Sequence, residues 1–199
     1  MSTVVLKVLL PKDRNREGRL VVVVDDRPIQ TFNVLGRGSR GSGETQFLSD
    51  GDTPTGVYQG TSWEDTATKV QHSYGPNGQL NLSPISGNAK FIYDVIGRDL
   101  FRIHGGDFNR KKGSPWYKRL NPTHGCLRLS NEDIKILYRI ISAAASDDTQ
   151  MMSIAPTVWV NIQEGSKFED SDDGLNQCSL APYSFLNEGN SVKFTRVSK

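Results

Sequence analysis

Short apolar segments separated by turn residues fill the first half of the chain and limit the folds open to it. Residues 19–24 are rich in β-branched side chains, residues 25–28 favour a turn, and residues 29–34 alternate apolar and polar. This order predicts a β-hairpin. Residues 52–58 are predicted to be a turn that leads into a strand. The other predicted strands are 4–10, 79–82, 90–96, 100–103 and 157–162. Their close spacing predicts a mainly β fold, a sandwich or mixed sheets or a small barrel.

A single clear helix is predicted, and it begins near Ser130. Ser130 and Asp133 have the spacing of an N-cap residue and its acidic partner. Apolar side chains then recur at helical spacing, so that one face of the helix packs on the sheet: Ile134, Leu137, Tyr138 and Ile141.

Length and charge bound the domain organisation and the possible partners. With 199 residues, the chain is expected to form one domain over residues 1–163, followed by a polar linker and tail over 164–199. A net charge of +2 is too small to predict nucleic-acid binding.

No apolar stretch reaches the roughly 20 residues that a membrane span needs. The N-terminus lacks the pattern of a signal peptide, so the chain is expected to be cytosolic, trimmed of a leader, or exported by another route.

The rarest side chains of the sequence are concentrated in one segment. The chain has two cysteines and three histidines, and His104, His124 and Cys126 lie within 23 residues of one another. A thiol must become a thiolate to attack a carbonyl, and a neighbouring imidazole can take its proton. His104 follows an apolar strand that would fix its position, which makes it the candidate base for Cys126.

The residues around Cys126 suit a nucleophile. Gly125 permits a turn and a close approach of substrate to the backbone. The amides of Gly125 and Cys126 are candidate oxyanion donors, and the following helix would direct the positive end of its dipole at the thiol. A purely structural role for Cys126 stays open, since an isolated buried cysteine is commonly a small apolar side chain, and such a role suits Cys178 better. His72 is expected to be an ordinary polar residue. No metal or other cofactor is predicted, because no pattern supplies the further ligands that zinc requires beside His104, His124 and Cys126.

These residues resemble the signature of the L,D-transpeptidases: a histidine, a gap, then Ser/Thr-His-Gly-Cys, an apolar residue and Asn or Arg. Here the signature comprises His104, the gap 105–122, and the run from Thr123 to Arg128. The segment 52–58 is similar to the family's Thr-Pro-x-Gly-x-aromatic strand start. The opening hairpin and the Tyr-Gly-Pro at 74–76 are also similar, and the resemblance covers about residues 3 to 163.

The resemblance implies roles for individual residues. Cys126 would attack a peptidoglycan stem peptide at the carbonyl before D-alanine, with His104 as base and the Gly105 carbonyl orienting the imidazole. The thioester would then pass its acyl group to an amine. The implied substrate-binding residues are Thr123, His124, Arg128 and Trp116. For Arg128 a structural ion pair is an equal alternative, and the basic, aromatic loop that contains Trp116 is either a binding element or a solvated lid.

Three functional hypotheses follow from the sequence. The first is a transpeptidase that cross-links stems or exchanges D-amino acids, working in the periplasm or cell wall. The second uses the same chemistry as an L,D-carboxypeptidase or a secreted antibacterial effector, with an immunity or secretion partner. The third is a non-catalytic, wall-binding β-domain.

Overall fold

A computed structural model describes residues 2–39, 45–108, 112, 119–145, 158–165, 183–188 and 191–196. Eight strands form one mixed sheet: β1 (Val4–Pro11), β2 (Gly18–Val24), β3 (Arg27–Val34), β4 (Gly56–Glu64), β5 (Gln79–Ser86), β6 (Arg102–His104), β7 (Leu127–Arg128) and β8 (Val158–Gly165). Their spatial order is β3-β2-β1-β8-β4-β5-β6-β7. The pairs β1/β8 and β6/β7 are parallel, and the other pairs are antiparallel.

The two ends of this sheet meet, so that it is nearly closed. Leu35, directly after β3, exchanges two backbone hydrogen bonds with Arg128 of β7, each 2.9 Å long. A further bridge joins Gly38 to Thr123. Closure removes most of the free strand edge and brings the loop after β3 against the segment that contains Cys126. The mainly β, mixed-sheet prediction is confirmed.

The predicted hairpin is β2–β3. Asp25 and Asp26 at its tip both have positive φ, 46° and 63°. Two consecutive residues with positive φ are what the tightest hairpin turn requires, and aspartate tolerates this conformation better than most residues. Along β2 the buried side chains Leu20 and Val22 alternate with partly exposed neighbours, as a sheet with one face on the core demands.

Helical segments flank the sheet. They are a 3₁₀ turn (Thr45–Phe47), α1 (Gln71–Tyr74), α2 (Gly87–Phe91), a π-helical turn (Ile92–Ile96) and α3 (Asn131–Ala144). The predicted start of α3 is confirmed, because the Asp133 amide donates to Ser130 Oγ at 3.0 Å. Ile134, Leu137 and Ile141 are buried against the sheet. Among the described residues, no helix combines the length and apolar character needed to cross a bilayer.

The prediction of a strand over residues 90–96 is wrong, because this segment is α2 continued by the π-helical turn. Ala89 and Ile92 are buried, three residues apart, whereas Tyr93, Val95 and Ile96 are exposed. The β-branched composition suggested a strand, but the buried positions follow helical spacing. Gly97, in the left-handed conformation with φ 74°, ends the turn.

The last described elements lie in the predicted tail. Strand β8 runs to Gly165, two residues past the expected end of the domain at 163. Strands β9 (Tyr183–Glu188) and β10 (Ser191–Arg196) pair with each other as an antiparallel hairpin. Cys178 lies outside the described residues.

Candidate active site

The parallel pairing of β6 and β7 brings the predicted base and nucleophile together. His104 is in register with Arg128, and the Leu129 amide donates to the His104 carbonyl at 2.9 Å. Cys126 immediately precedes β7. Both His104 and Cys126 line one cleft of about 580 Å³. Two sequence positions separated by residues 105–125 thus line the same cleft because their strands are neighbours.

The imidazole of His104 is buried and oriented by its own backbone. The side chain is 3% exposed, and Nδ1 lies 2.7 Å from the Gly105 carbonyl oxygen. Because a carbonyl can only accept, Nδ1 carries the proton, which leaves Nε2 as the basic nitrogen. Burial, reinforced by the charge of Arg128, lowers the pKa of His104 to about 3. The imidazole is therefore neutral at physiological pH.

Cys126 is a free, half-buried thiol. Its Sγ lies 3.7 Å from the Leu100 carbonyl oxygen, to which the thiol donates. Burial raises the pKa of the Cys126 thiol, and the charges of Arg102, Arg128 and Arg98 oppose that rise. The resting site therefore holds a thiol and a neutral imidazole that line the same cleft.

A compact turn holds Cys126, the predicted nucleophile. Thr123 Oγ1 donates to the Cys126 carbonyl at 2.8 Å, and Thr53 Oγ1 donates to the same oxygen at 2.9 Å. The Gly125 amide, a predicted oxyanion donor, donates to Thr123 Oγ1 at 3.1 Å. Thr123, a predicted substrate contact, is 4% exposed, and its hydroxyl is thus committed to the backbone of the turn. Binding an oxyanion requires the Gly125 amide to share or exchange this bond.

The segment after His104 is fixed from the start of α3. The Gly106 amide donates to Asn131 Oδ1 at 2.8 Å. Gly106 has φ 132°, and a Cβ there would overlap the Arg128 guanidinium. The second glycine after His104 therefore makes room for Arg128, a role that the sequence alone did not indicate.

Arg128 lies beneath the cleft. It is 4% exposed, and Nη2 donates to the Ser73 carbonyl at 2.8 Å. Its Nε and Nη1 are buried and, within the part of the chain that the structure describes, have no hydrogen-bond partner. Burial lowers the pKa of Arg128 to about 10. No described carboxylate forms an ion pair with the guanidinium, and the substrate-binding role of Arg128 stays a prediction.

Of the other two predicted substrate residues, the structure describes His124 but not Trp116. His124 stands at the rim of the cleft with its side chain 74% exposed, and Nδ1 lies 3.0 Å from Asp50 Oδ1. Trp116 and most of its loop lie outside the described residues. Across the described ranges, no group of three or more His, Cys, Asp or Glu side chains is arranged to hold a metal ion.

Sequence reasoning missed several residues that build the site. Arg98 donates to backbone carbonyls of the segment before β4 and of the turn before Cys126, and the Tyr74 ring lies 5.1 Å from the His104 ring. Thr53 belongs to the Thr-Pro-x-Gly segment that resembles the family's strand start, which was a usable signal. No signal in the sequence pointed to Arg98, because its hydrogen-bond partners are main-chain atoms.

The fold defines a mainly β domain built on a nearly closed mixed sheet, with Cys126 and His104 lining one cleft. The chain belongs to the L,D-transpeptidase catalytic domain family, since the YkuD family model matches residues 13–165. Members of this family are transpeptidases, a kind of acyltransferase. No curated protein matches the chain significantly.

Several solved structures are similar to the chain. Bd1075 of Bdellovibrio bacteriovorus shares 13% identity over 88% of this chain and 56% of that chain, with a TM-score of 0.48. L,D-transpeptidase 1 of Mycobacterium tuberculosis shares 10% identity over 82% and 63%, with a TM-score of 0.38. An L,D-transpeptidase of Mycobacterium smegmatis shares 15% identity over 80% and 59%, with a TM-score of 0.37. The chain thus spans less than two thirds of each of these structures.

Proposed function

We propose that this protein acts on peptidoglycan as an L,D-transpeptidase, with Cys126 as nucleophile and His104 as base. The observation that carries the proposal is the pairing of β6 with β7, which places both side chains in one cleft. The Nδ1 proton of His104 is committed to Gly105, so Nε2 is the atom available to receive the thiol proton. Membership of the family supports the same chemistry.

In the first half-reaction, Cys126 Sγ attacks the stem carbonyl that precedes D-alanine while His104 Nε2 takes the thiol proton. The negative charge that develops on the carbonyl oxygen is held by the backbone amides of Cys126 and Gly125. The bond from the carbonyl carbon to the D-alanine nitrogen then breaks, and His104 returns its proton to that nitrogen. D-Alanine leaves, and the acyl group remains on sulfur as a thioester.

In the second half-reaction, an acceptor attacks the thioester carbonyl and gives a proton to His104. The carbon–sulfur bond breaks, and the thiol is regenerated. A stem amine gives a cross-link, a free D-amino acid gives an exchanged stem, and water gives a shortened stem, the carboxypeptidase outcome. His124, Thr123 and Arg128, which line the cleft, are proposed as substrate contacts. Trp116 is proposed as a further contact on the basis of the sequence. This substrate implies that the protein works in the periplasm or cell wall.

The test is mass spectrometry of the protein incubated with disaccharide-tetrapeptide, with and without an added D-amino acid. Wild type is expected to release D-alanine and to carry a thioester adduct, and the product identifies the acceptor. Cys126→Ala should abolish both, whereas Cys178→Ser, which removes the other cysteine, should retain both. If wild type binds the glycopeptide but neither forms an adduct nor releases D-alanine, the enzymatic proposal fails and the wall-binding hypothesis gains.

A further inference from the structure

Arg98 occupies an unusual position between the helical segment and the nucleophile. It directly follows Gly97, which ends the π-helical turn, and its side chain is half-buried with the guanidinium 5.4 Å from the centre of the Phe101 ring. A buried guanidinium usually pairs with a carboxylate. The hydrogen bonds of Arg98 to described residues go instead to main-chain carbonyl oxygens.

Those carbonyls belong to two separate parts of the chain. Nη1 donates to Gln46 at 2.5 Å, and Nη2 lies within reach of Gly51 at 2.7 Å, Asp52 at 3.1 Å and His124 at 3.3 Å. One side chain therefore ties the loop that precedes β4 to the turn that carries Cys126. Charge-assisted hydrogen bonds of this kind are stronger than bonds between neutral groups.

The contact with His124 bears on the oxyanion donors. The peptide bond between His124 and Gly125 is planar, so fixing the His124 oxygen also fixes the direction of the Gly125 N–H. That N–H points to Thr123 Oγ1. Gly125 has φ 108°, and a Cβ at this position would overlap Arg98 Nη2. The guanidinium thus lies directly against the residue before the nucleophile.

The same short segment also contacts the sulfur. Leu100, two residues after Arg98, has φ 59°, a conformation that is costly for leucine. Its carbonyl oxygen accepts from Cys126 Sγ. Strain of this kind persists only where surrounding contacts enforce it, and the four bonds of Arg98 are contacts that can do so.

We propose that Arg98 is a positioning residue, which sets the orientation of the His124–Gly125 peptide and the place of Cys126 through its bonds to main-chain carbonyls. The inference rests on the proposed function for its catalytic consequence. Its geometric content concerns the thiol alone and can be measured without a peptidoglycan substrate.

The experiment compares Arg98→Met, which removes the charge and the donors, with Arg98→Lys, which keeps the charge but lacks the planar fork. The control is Lys90→Met, which removes a surface cation from α2. Circular dichroism and melting curves first establish a temperature at which every variant is folded. D-Alanine release and alkylation of Cys126 by iodoacetamide are then measured below that temperature, in a Cys178→Ser background.

Both Arg98 variants are expected to lose about 10²-fold in kcat, the size of effect seen when one oxyanion donor is lost, with little change in KM. Their limiting alkylation rates at alkaline pH should rise at least about threefold, because Sγ is no longer held in place. Lys90→Met should match wild type in both measurements. If Arg98→Lys restores kcat, charge rather than positioning matters and the proposal is overturned. It is equally overturned if folded Arg98→Met has normal kcat.

The alkylation measurement separates this inference from the proposed function. If wild type releases no D-alanine, the function is refuted while the alkylation rates still decide the role of Arg98. In that case faster alkylation of both folded variants supports positioning, and rates equal to wild type refute it.

Discussion

The histidine of the site is neutral because it is buried, and this gives the protein a defined acid sensitivity. The folded-state pKa of His104, about 3, lies below the ordinary value of 6.5. Between those values the unfolded chain binds a proton that the folded chain does not, so the free energy of unfolding falls as pH decreases through this window. Above pH 6.5 both states are neutral at this residue, and its contribution is constant.

Acidification from pH 7 to pH 4 is therefore expected to remove about 3 kcal/mol of stability through His104. The measurement is urea denaturation at a series of pH values for wild type and His104→Gln. The variant should lose this part of the pH dependence. His72→Gln, at an exposed position, should keep the wild-type slope, and equal slopes in all three proteins would contradict the assignment.

A second residue-scale prediction concerns Gly125. Gly125→Ala should destabilise the fold by about 1–2 kcal/mol through its φ of 108°, and by about 1–3 kcal/mol more because Arg98 must abandon carbonyl contacts. Gly97→Ala is the matched control, since φ is 74° there but a Cβ meets nothing within 4 Å. Denaturation curves and D-alanine release measure both variants. A Gly125→Ala protein as stable and active as Gly97→Ala would refute the close packing of Arg98 on this turn.

Residues with reactive side chains could be identified from the sequence, whereas residues that hold main-chain atoms could not. Cys126 and His104 were found because few side chains can supply a nucleophile and a base, and their roles remain proposals. Arg98 and Thr53 were not assigned, because they hold main-chain carbonyls, and every residue in a sequence has such a carbonyl. Only the fold determines which carbonyls a guanidinium reaches.

At the scale of elements, the strongest local signals were reliable. The hairpin turn predicted at 25–28 and the cap at Ser130 are local features of the chain, and both are found, although the turn is shorter than predicted because β3 already begins at Arg27. The strand prediction for residues 90–96 failed because β-branched composition is a weak guide where most side chains are exposed. The helical conformation of this segment buries Ala89 and Ile92 together. Composition alone does not show which side chains will be buried.

The cap of α3 gives an element-scale prediction. Ser130→Ala removes the acceptor for the Asp133 amide and should cost about 1 kcal/mol of stability. Ser130→Asp should retain most of it, since aspartate is also a favourable cap and suits the positive end of the helix. Urea denaturation measures both changes. Equal losses for the two variants would mean that the hydroxyl acts through some other contact.

At the scale of the whole molecule, the eight strands of the sheet lie between Val4 and Gly165, and the family model ends at the same residue. A chain ending at Gly165 is therefore expected to fold by itself and to keep the proposed acyl-transfer activity. Its melting temperature should lie within about 2–4 °C of the full chain, the shift that about 1 kcal/mol produces in a domain of this size. A truncated protein that does not fold cooperatively would show that residues after 165 belong to the domain.

The bond from His104 Nδ1 to the carbonyl of the next residue has an evolutionary consequence. In sites where an aspartate or asparagine holds the imidazole, a single nucleotide change can remove that holder. Here the acceptor belongs to the main chain, and every amino acid encoded at position 105 would retain it. A Cβ at position 105 would nevertheless lie 2.5 Å from Asn131 Oδ1, which accepts from the Gly106 amide. Substitutions at position 105 are therefore expected to act on His104 through the backbone path between β6 and α3 and not by removing the acceptor.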